Sequence, residues 1–204
     1  MGAVKPLIIW DFDGVLNANV KNGRFLWADD LEADWGISVR ALQAQIFVQP
    51  VLGRIMRGQV DLRDTLAAWL DQAHPQIAVD AFLSYWFTKD ALPDPEVTAH
   101  LARQDFRHVI GTNNEARRAA YIEHDMGFGA RVERVFSSGR MGCAKPEAAF
   151  FEQIETWSGL PSAAHILIDD SAPNVTAAQA RGWSGFHLTD ATRESLPAFL
   201  DQRA

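Results

Sequence analysis

The chain has 204 residues, 48% hydrophobic and 22% charged, which is the make-up of an ordinary globular protein of one large or two small domains. Nineteen Lys and Arg against 26 Asp and Glu leave a formal net charge of −7. With no basic run, nucleic acid and an anionic membrane surface are poor partners, and the composition excludes a disordered or collagen-like chain.

The first apolar run, Leu7-Ile8-Ile9-Trp10, stops at Asp11 and reads as a strand buried on both faces. Between Lys5, Pro6 and Asp11 it is too short for a signal peptide or a membrane span, and no later stretch is long enough to cross a bilayer. Met1-Gly2 opens like a myristoylation signal, but Pro6 stands where that signal needs Ser or Thr. The lone cysteine, Cys143, permits no internal disulfide and fits a reducing compartment, so a cytoplasmic location is expected.

From about Leu16 to Ala91 the pattern turns helical. Leu31, Trp35, Val39, Leu42 and Ile46 keep a helical period, as do Leu62, Leu66, Trp69 and Leu70, then Val79, Phe82, Leu83, Trp86 and Phe87. Asp61 and Asp64 suit a helix N-terminus. Around Asn22-Gly23, residues 20–25 read either as a small hairpin or as a surface loop. The tryptophans Trp27, Trp35, Trp69 and Trp86 read as core of this insert before they read as a substrate platform. Arg54 and Arg57 read as a solvated helix end, with gripping a substrate anion as the alternative.

Pro93 and Pro95 mark the return to an alternating pattern. Strands are expected at residues 106–110, 132–136, 165–168 and 185–188, separated by helices from Ala116, from Pro146 and from Pro173. Alternating strands and helices mean a Rossmann-like α/β core, a parallel sheet flanked by helices. The expected division is a core of residues 1–15 and 92–204, with an all-helical cap of residues 16–91 inserted after the first strand.

Open parallel sheets bind ligands beyond the carboxyl ends of their strands. Those ends carry Asp11 and Asp13, Thr112 and Asn113, and Asp169 and Asp170, while Lys145 precedes the helix near Pro146. Four carboxylates at one mouth repel one another unless a cation intervenes. Oxygen ligands without His or Cys favour Mg²⁺, which commonly takes a substrate phosphate as well.

The run Asp11-Phe12-Asp13-Gly14-Val15-Leu16 resembles the first motif of the haloacid dehalogenase superfamily. The resemblance continues through Gly111-Thr112-Asn113, Lys145-Pro146 and Ile168-Asp169-Asp170-Ser171, four motifs in order across most of the chain. It implies a phosphatase in which Asp11 is the nucleophile and Asp13 the general acid/base, with the main-chain carbonyl of Asp13 facing Mg²⁺. By the same resemblance Thr112 and Lys145 hold the phosphoryl group and Asn113 adds a side-chain or main-chain donor. Asp170 would be the direct metal ligand beside Asp11 and Asp13, with Asp169 behind it and Asn174 bracing Asp169. Taken alone, Thr112 is also a helix cap and Lys145 a solvated lysine. Cys143 reads as a passive loop residue whose pKa a neighbouring Lys145 would depress.

The expected activity is Mg²⁺-dependent hydrolysis of a small phosphorylated metabolite, a sugar phosphate or similar phosphomonoester, by a monomer or homodimer. Asp13 argues against a dehalogenase, which resembles this family but lacks the second aspartate. The rivals are a sugar phosphomutase, separated by its product, and a non-catalytic relative binding a partner through the insert.

Overall fold

The computed structural model describes residues 5–21 and 23–204; Met1, Gly2 and Asn22 lie outside them. The chain enters through β1 (Leu7–Trp10), buried along its whole length. A two-stranded antiparallel ribbon follows, β2 (Val20–Lys21) against β3 (Arg24–Phe25), so the stretch at 20–25 is a hairpin. Five helices then run α1 (Leu31–Trp35), α2 (Val39–Ile46), α3 (Val51–Met56), α4 (Leu62–Ala73) and α5 (Val79–Lys89). The inserted segment is therefore helical except for that ribbon.

After α6 (Pro95–Ala99) the alternation begins: β4 (Arg107–Thr112), α7 (Ala116–His124), β5 (Val135–Ser137), α8 (Ser138–Met141), α9 (Ala148–Ser158), β6 (His165–Asp169), α10 (Ala172–Ala180), β7 (Ser184–His187) and α11 (Leu196–Asp201). Among these strands and helices, two starts differ from the sequence reading by more than one residue. Residues 132–134 precede the regular ladder, although Glu133 N already donates to His108 O at 2.8 Å and Ile110 N to Arg134 O at 3.0 Å. The helix expected from Pro146 begins at Ala148, because Glu147 keeps an extended backbone as its N-cap residue.

Side-chain caps explain several helix starts. Asp61 accepts from Arg63 N and Asp64 N at α4, and Asp94 accepts from Glu96 N and Val97 N at α6, where Pro95 needs no donor. Glu115 does the same for Arg117 N and Arg118 N at α7.

The sheet is wholly parallel, in the order β5-β4-β1-β6-β7. Strand alternation sends Ile8, Trp10, Ile110, Ile166 and Ile168 to one face and Leu7, Ile9, Val109 and Leu167 to the other. Each such side chain contributes on the order of 1.5–3 kcal/mol by burial. Trp10 keeps its polar handle satisfied, donating Nε1–H to His108 Nδ1 at 3.1 Å. The insert has its own core, with Leu31, Ile37, Leu66 and Phe82 fully buried. With β1 central and β4 and β6 on either side, the residues following all three strands converge at one edge.

Candidate active site

Asp11 follows β1, held by its N–H to Ile168 O at 2.8 Å. Lys145, fully buried at its side chain, reaches between Asp11 Oδ1 at 3.0 Å and Asp169 Oδ2 at 2.7 Å. Asn113 fixes the lysine's main chain from both sides: Asn113 Nδ2 donates to Lys145 O and Lys145 N donates to Asn113 Oδ1, each at 2.9 Å. The Asn113 side chain is thus a clamp on the Lys145 main chain. Asn174 donates to Asp169 Oδ1 at 3.0 Å, and Ser171 N to the same oxygen at 2.9 Å. Asp170 is exposed, and Gly14 lies beside it with φ +78°, where an added Cβ would stand 2.5 Å from Asp170 Oδ2. Only glycine supplies that backbone and that clearance.

Carboxylate oxygens of Asp11, Asp169 and Asp170 lie within 4.8 Å of one another. Burial raises Asp11 well above the usual carboxylate range, aided by Asp169 and Asp170 and opposed by Lys145. Asp170, exposed at one side and partly desolvated at the other, is raised by that desolvation and by the Asp169 charge. Burial alone would pull Lys145 down, but the charges of Asp11 and Asp169 hold its ammonium above its ordinary value. Three carboxylates against one ammonium leave a deficit of positive charge at an all-oxygen cluster, and these residues fit a hard divalent cation such as Mg²⁺.

Asp13 belongs to a network that sequence reasoning missed. Its Oδ1 accepts from Asn19 Nδ2 at 2.8 Å and from Asn17 Nδ2 at 3.3 Å, and its Oδ2 from Asn114 Nδ2 at 2.8 Å. Asn114 also reaches the buried Thr112 hydroxyl oxygen at 2.8 Å. Asn19 bonds Asp90 Oδ1 at 2.8 Å, and Asp90 pairs with the buried Arg118 guanidinium at 2.8 Å. Burial, with Asp13 nearby and Arg118 opposing, pushes Asp90 up to about 7. Asn17 and Asn19 are fully buried; two asparagines in a loop carried no signal beyond turn chemistry, and Asp90 arrives from the far end of the insert.

A cavity of about 310 Å³ opens beside Asp13 and runs into the insert between Trp27, Phe47 and Trp86. Trp27 is 4% exposed and stacks on Trp86 with ring centroids 4.4 Å apart, so this pair both fills the insert's core and faces the cavity. Trp35 and Trp69 pack only within that core. Arg57 pairs with Glu147 of the sheet-bearing part, Arg54 is exposed, and neither lines the cavity. Cys143 is buried with Gln153 Nε2 at 3.2 Å from its sulfur, and burial with the Glu147 charge raises its thiol, opposite to the expected depression. A wider cavity of about 670 Å³ near Met141, Gln153 and Trp157 is bordered by none of Asp11, Asp13, Thr112, Lys145, Asp169 or Asp170, whereas the smaller one reaches Asp13.

A parallel sheet with Asp11, Thr112, Lys145 and Asp169 at its carboxyl edge defines a Rossmann-like α/β protein with a charged site at the strand ends. A family model described as haloacid dehalogenase-like hydrolase matches residues 5–182, and the chain belongs to that family. Over 56 residues it is 41% identical to a sesquiterpene phosphatase of Aspergillus oryzae, a match covering 28% of this chain and 29% of that protein. The chain therefore spans less than a third of that relative's length. Among solved structures, a HAD-like hydrolase from Porphyromonas gingivalis matches with TM-score 0.75 at 16% identity, covering 98% of each chain. A HAD-family enzyme of Bacteroides thetaiotaomicron, in complex with magnesium and inorganic phosphate, matches with TM-score 0.73 at 15% identity over 90% of this chain and 94% of that one. An L-2-haloacid dehalogenase from Xanthobacter autotrophicus matches with TM-score 0.62 at 18% identity over 98% and 83%. These likenesses establish the fold. No helix among the described residues is long and apolar enough to cross a membrane.

Proposed function

We propose that this chain is a Mg²⁺-dependent phosphomonoester hydrolase working through an aspartyl-phosphate on Asp11. The observation that carries the reading is the convergence of Asp11, Asp169 and Asp170 around the buried Lys145 ammonium. That is a site for a phosphate dianion beside carboxylates. The partial match to a phosphatase, and a fold neighbour in complex with magnesium and phosphate, support it.

In this reading an Asp11 carboxylate oxygen attacks phosphorus while the bond from phosphorus to the alcohol oxygen breaks, and Asp13 delivers a proton to that oxygen. Asp13 then takes a proton from the water that attacks the aspartyl-phosphate, which releases inorganic phosphate and restores the Asp11 carboxylate. Asn17, Asn19 and Asn114 fix the plane of the Asp13 carboxyl. Thr112 and Lys145 orient and neutralise the phosphoryl oxygens, and Asn113 holds Lys145 in place. Asp11, Asp170 and the Asp13 carbonyl would hold Mg²⁺. Asp169, already engaged by Lys145 and Asn174, acts from behind them through water. Bound Mg²⁺ supplies positive charge to the phosphoryl oxygens and offsets that of the carboxylates.

Residues 16–91 act as a cap that excludes bulk water from Asp13. The single, buried cysteine supports a reducing compartment such as the cytoplasm. Phosphate release from an aryl phosphate tests the reading. It should stop with EDTA, return with Mg²⁺, and fall by several orders of magnitude in Asp11→Asn. Full activity in chelator, or near wild-type turnover in Asp11→Asn, overturns it. Transfer of phosphate within a sugar, with none released, would instead identify a mutase.

A further inference from the structure

The alcohol half of the substrate must lie where Asp13 can protonate its oxygen, so the space beside Asp13 identifies its chemistry. Two cavities reach the site, one at Asp170 and one at Asp13. One, of about 500 Å³, is bordered by Asp170, Lys21, Asp190 and Arg193 and does not include Asp13. The other, of about 310 Å³, has Asp13 at one end and is walled by Trp27, Phe47, Leu52, Met56, Trp86 and Phe87.

The amide N–H, carboxylate and guanidinium groups of this second cavity are already engaged, which leaves the Trp27 and Trp86 indole N–H groups as its side-chain donors. Asn114 spends its amide N–H groups on Asp13 and Thr112, and Asn113 is committed at both ends to the Lys145 main chain. Glu115 caps α7, and Arg118 is paired with Asp90 and with the Phe87 and Asp90 carbonyls. A sugar placed here would bury most of its hydroxyls without partners, with only two indole N–H groups to meet them, whereas a hydrocarbon would gain the aromatic walls. At roughly 30 Å³ per heavy atom the space suits about ten carbons.

We propose that the natural ester is the phosphate of an apolar alcohol of about ten carbons, alkyl or aryl, whose hydrocarbon occupies the cavity between Asp13 and the Trp27–Trp86 pair. The proposal rests on the phosphomonoesterase reading of the same site and supplies its substrate class.

Two measurements separate the two claims. In the first, kcat/KM is determined with Mg²⁺ for n-alkyl phosphates from ethyl to dodecyl and for glucose 6-phosphate. It should climb roughly fourfold per methylene, the equivalent of one buried CH₂, level off near ten carbons, and leave the sugar ester far below. In the second, calorimetry gives Kd for the matching non-hydrolysable alkyl phosphonates, with the same dependence on length. In Met56→Asp, with Leu52→Ser as a second variant should the first not fold, the slope with chain length should flatten in both series. A flat length profile in both series, or a preference for glucose 6-phosphate, overturns the apolar substrate and leaves the phosphatase standing. Length-dependent phosphonate binding without hydrolysis of any ester upholds the apolar site and overturns the catalytic reading.

Discussion

At the scale of single residues, the site depends on asparagines as much as on aspartates. Asn19 bridges the carboxylates of Asp13 and Asp90 through one amide, with both distances 2.8 Å. Asn19→Ala leaves Asp13 with its other donors but frees the carboxyl to rotate. Misplacing an acid by about an ångström costs on the order of 10²-fold in rate. Steady-state kinetics should therefore place the loss in kcat, with KM little changed. A second expectation separates the acid from the nucleophile. An alkyl ester leaves as a poor alkoxide and an aryl ester as a stable phenolate, so Asp13→Asn should slow the first more than the second in single-turnover experiments. Equal losses would remove Asp13 from the acid role.

At the scale of elements, the insert and the sheet-bearing part meet where glycines permit it. Gly58, just past α3, has φ +64°, and a Cβ there would collide with the Gly139 carbonyl oxygen of α8. Gly36, at the end of α1, has φ +66° and nothing within 4 Å of the same position. Gly36→Ala should cost only the left-handed strain, about 1–2 kcal/mol. Gly58→Ala should cost more, because a main-chain collision is added, and urea unfolding of the two variants measures the difference. Asp61 is a related case: it caps α4 and also pairs with Arg117 of α7 at 3.2 Å. Asp61→Ala should destabilise by about 1 kcal/mol through the cap alone.

Most elements were legible locally. The apolar runs ending in Asp, and the helical spacing from Leu31 to Phe87, carry the strands and the inserted helices; Asp11, Thr112, Lys145 and Asp169 lie where strand-end reasoning puts them. What was not legible depends on distant pairings. Asn113 and Asn114 are adjacent and chemically identical, and only the fold turns one toward Lys145 and the other toward Asp13. Asp90 reaches Asn19 across 71 positions, beyond the range of any local pattern.

At the scale of the whole molecule, buried imidazoles set how the fold responds to acid. Burial holds His100, His108 and His165 below their ordinary value. His108 Nδ1 accepts from Trp10 while its Nε2–H donates to the Arg103 carbonyl at 2.9 Å, so a second ring proton would face the Trp10 N–H. The unfolded chain takes up these protons near pH 6.5 and the folded chain only lower, so their stabilisation is whole above pH 6.5 and lost as pH falls through the window beneath it. Raised carboxylates such as Asp90 and Glu115 act with the opposite sign, because the folded chain holds their protons to higher pH. Comparison with a variant therefore isolates the imidazole. The drop in urea midpoint from pH 7.5 to 5.5 should be smaller in His108→Gln than in the wild type, and an equal drop would exonerate His108.

The stacked indoles carry one more consequence, an optical one. Trp27 lies on a 3₁₀ turn early in the insert and Trp86 on its last helix, with ring planes 25° apart and centroids at 4.4 Å. Two chromophores that close share their excited states, so their ultraviolet transitions split and give a signed pair of circular dichroism bands. The signal requires the two ends of the insert to remain in register, and a single Trp86→Phe exchange should abolish it. The molecule thus carries its own label-free gauge of whether the aromatic wall is assembled, readable during turnover without attaching a dye.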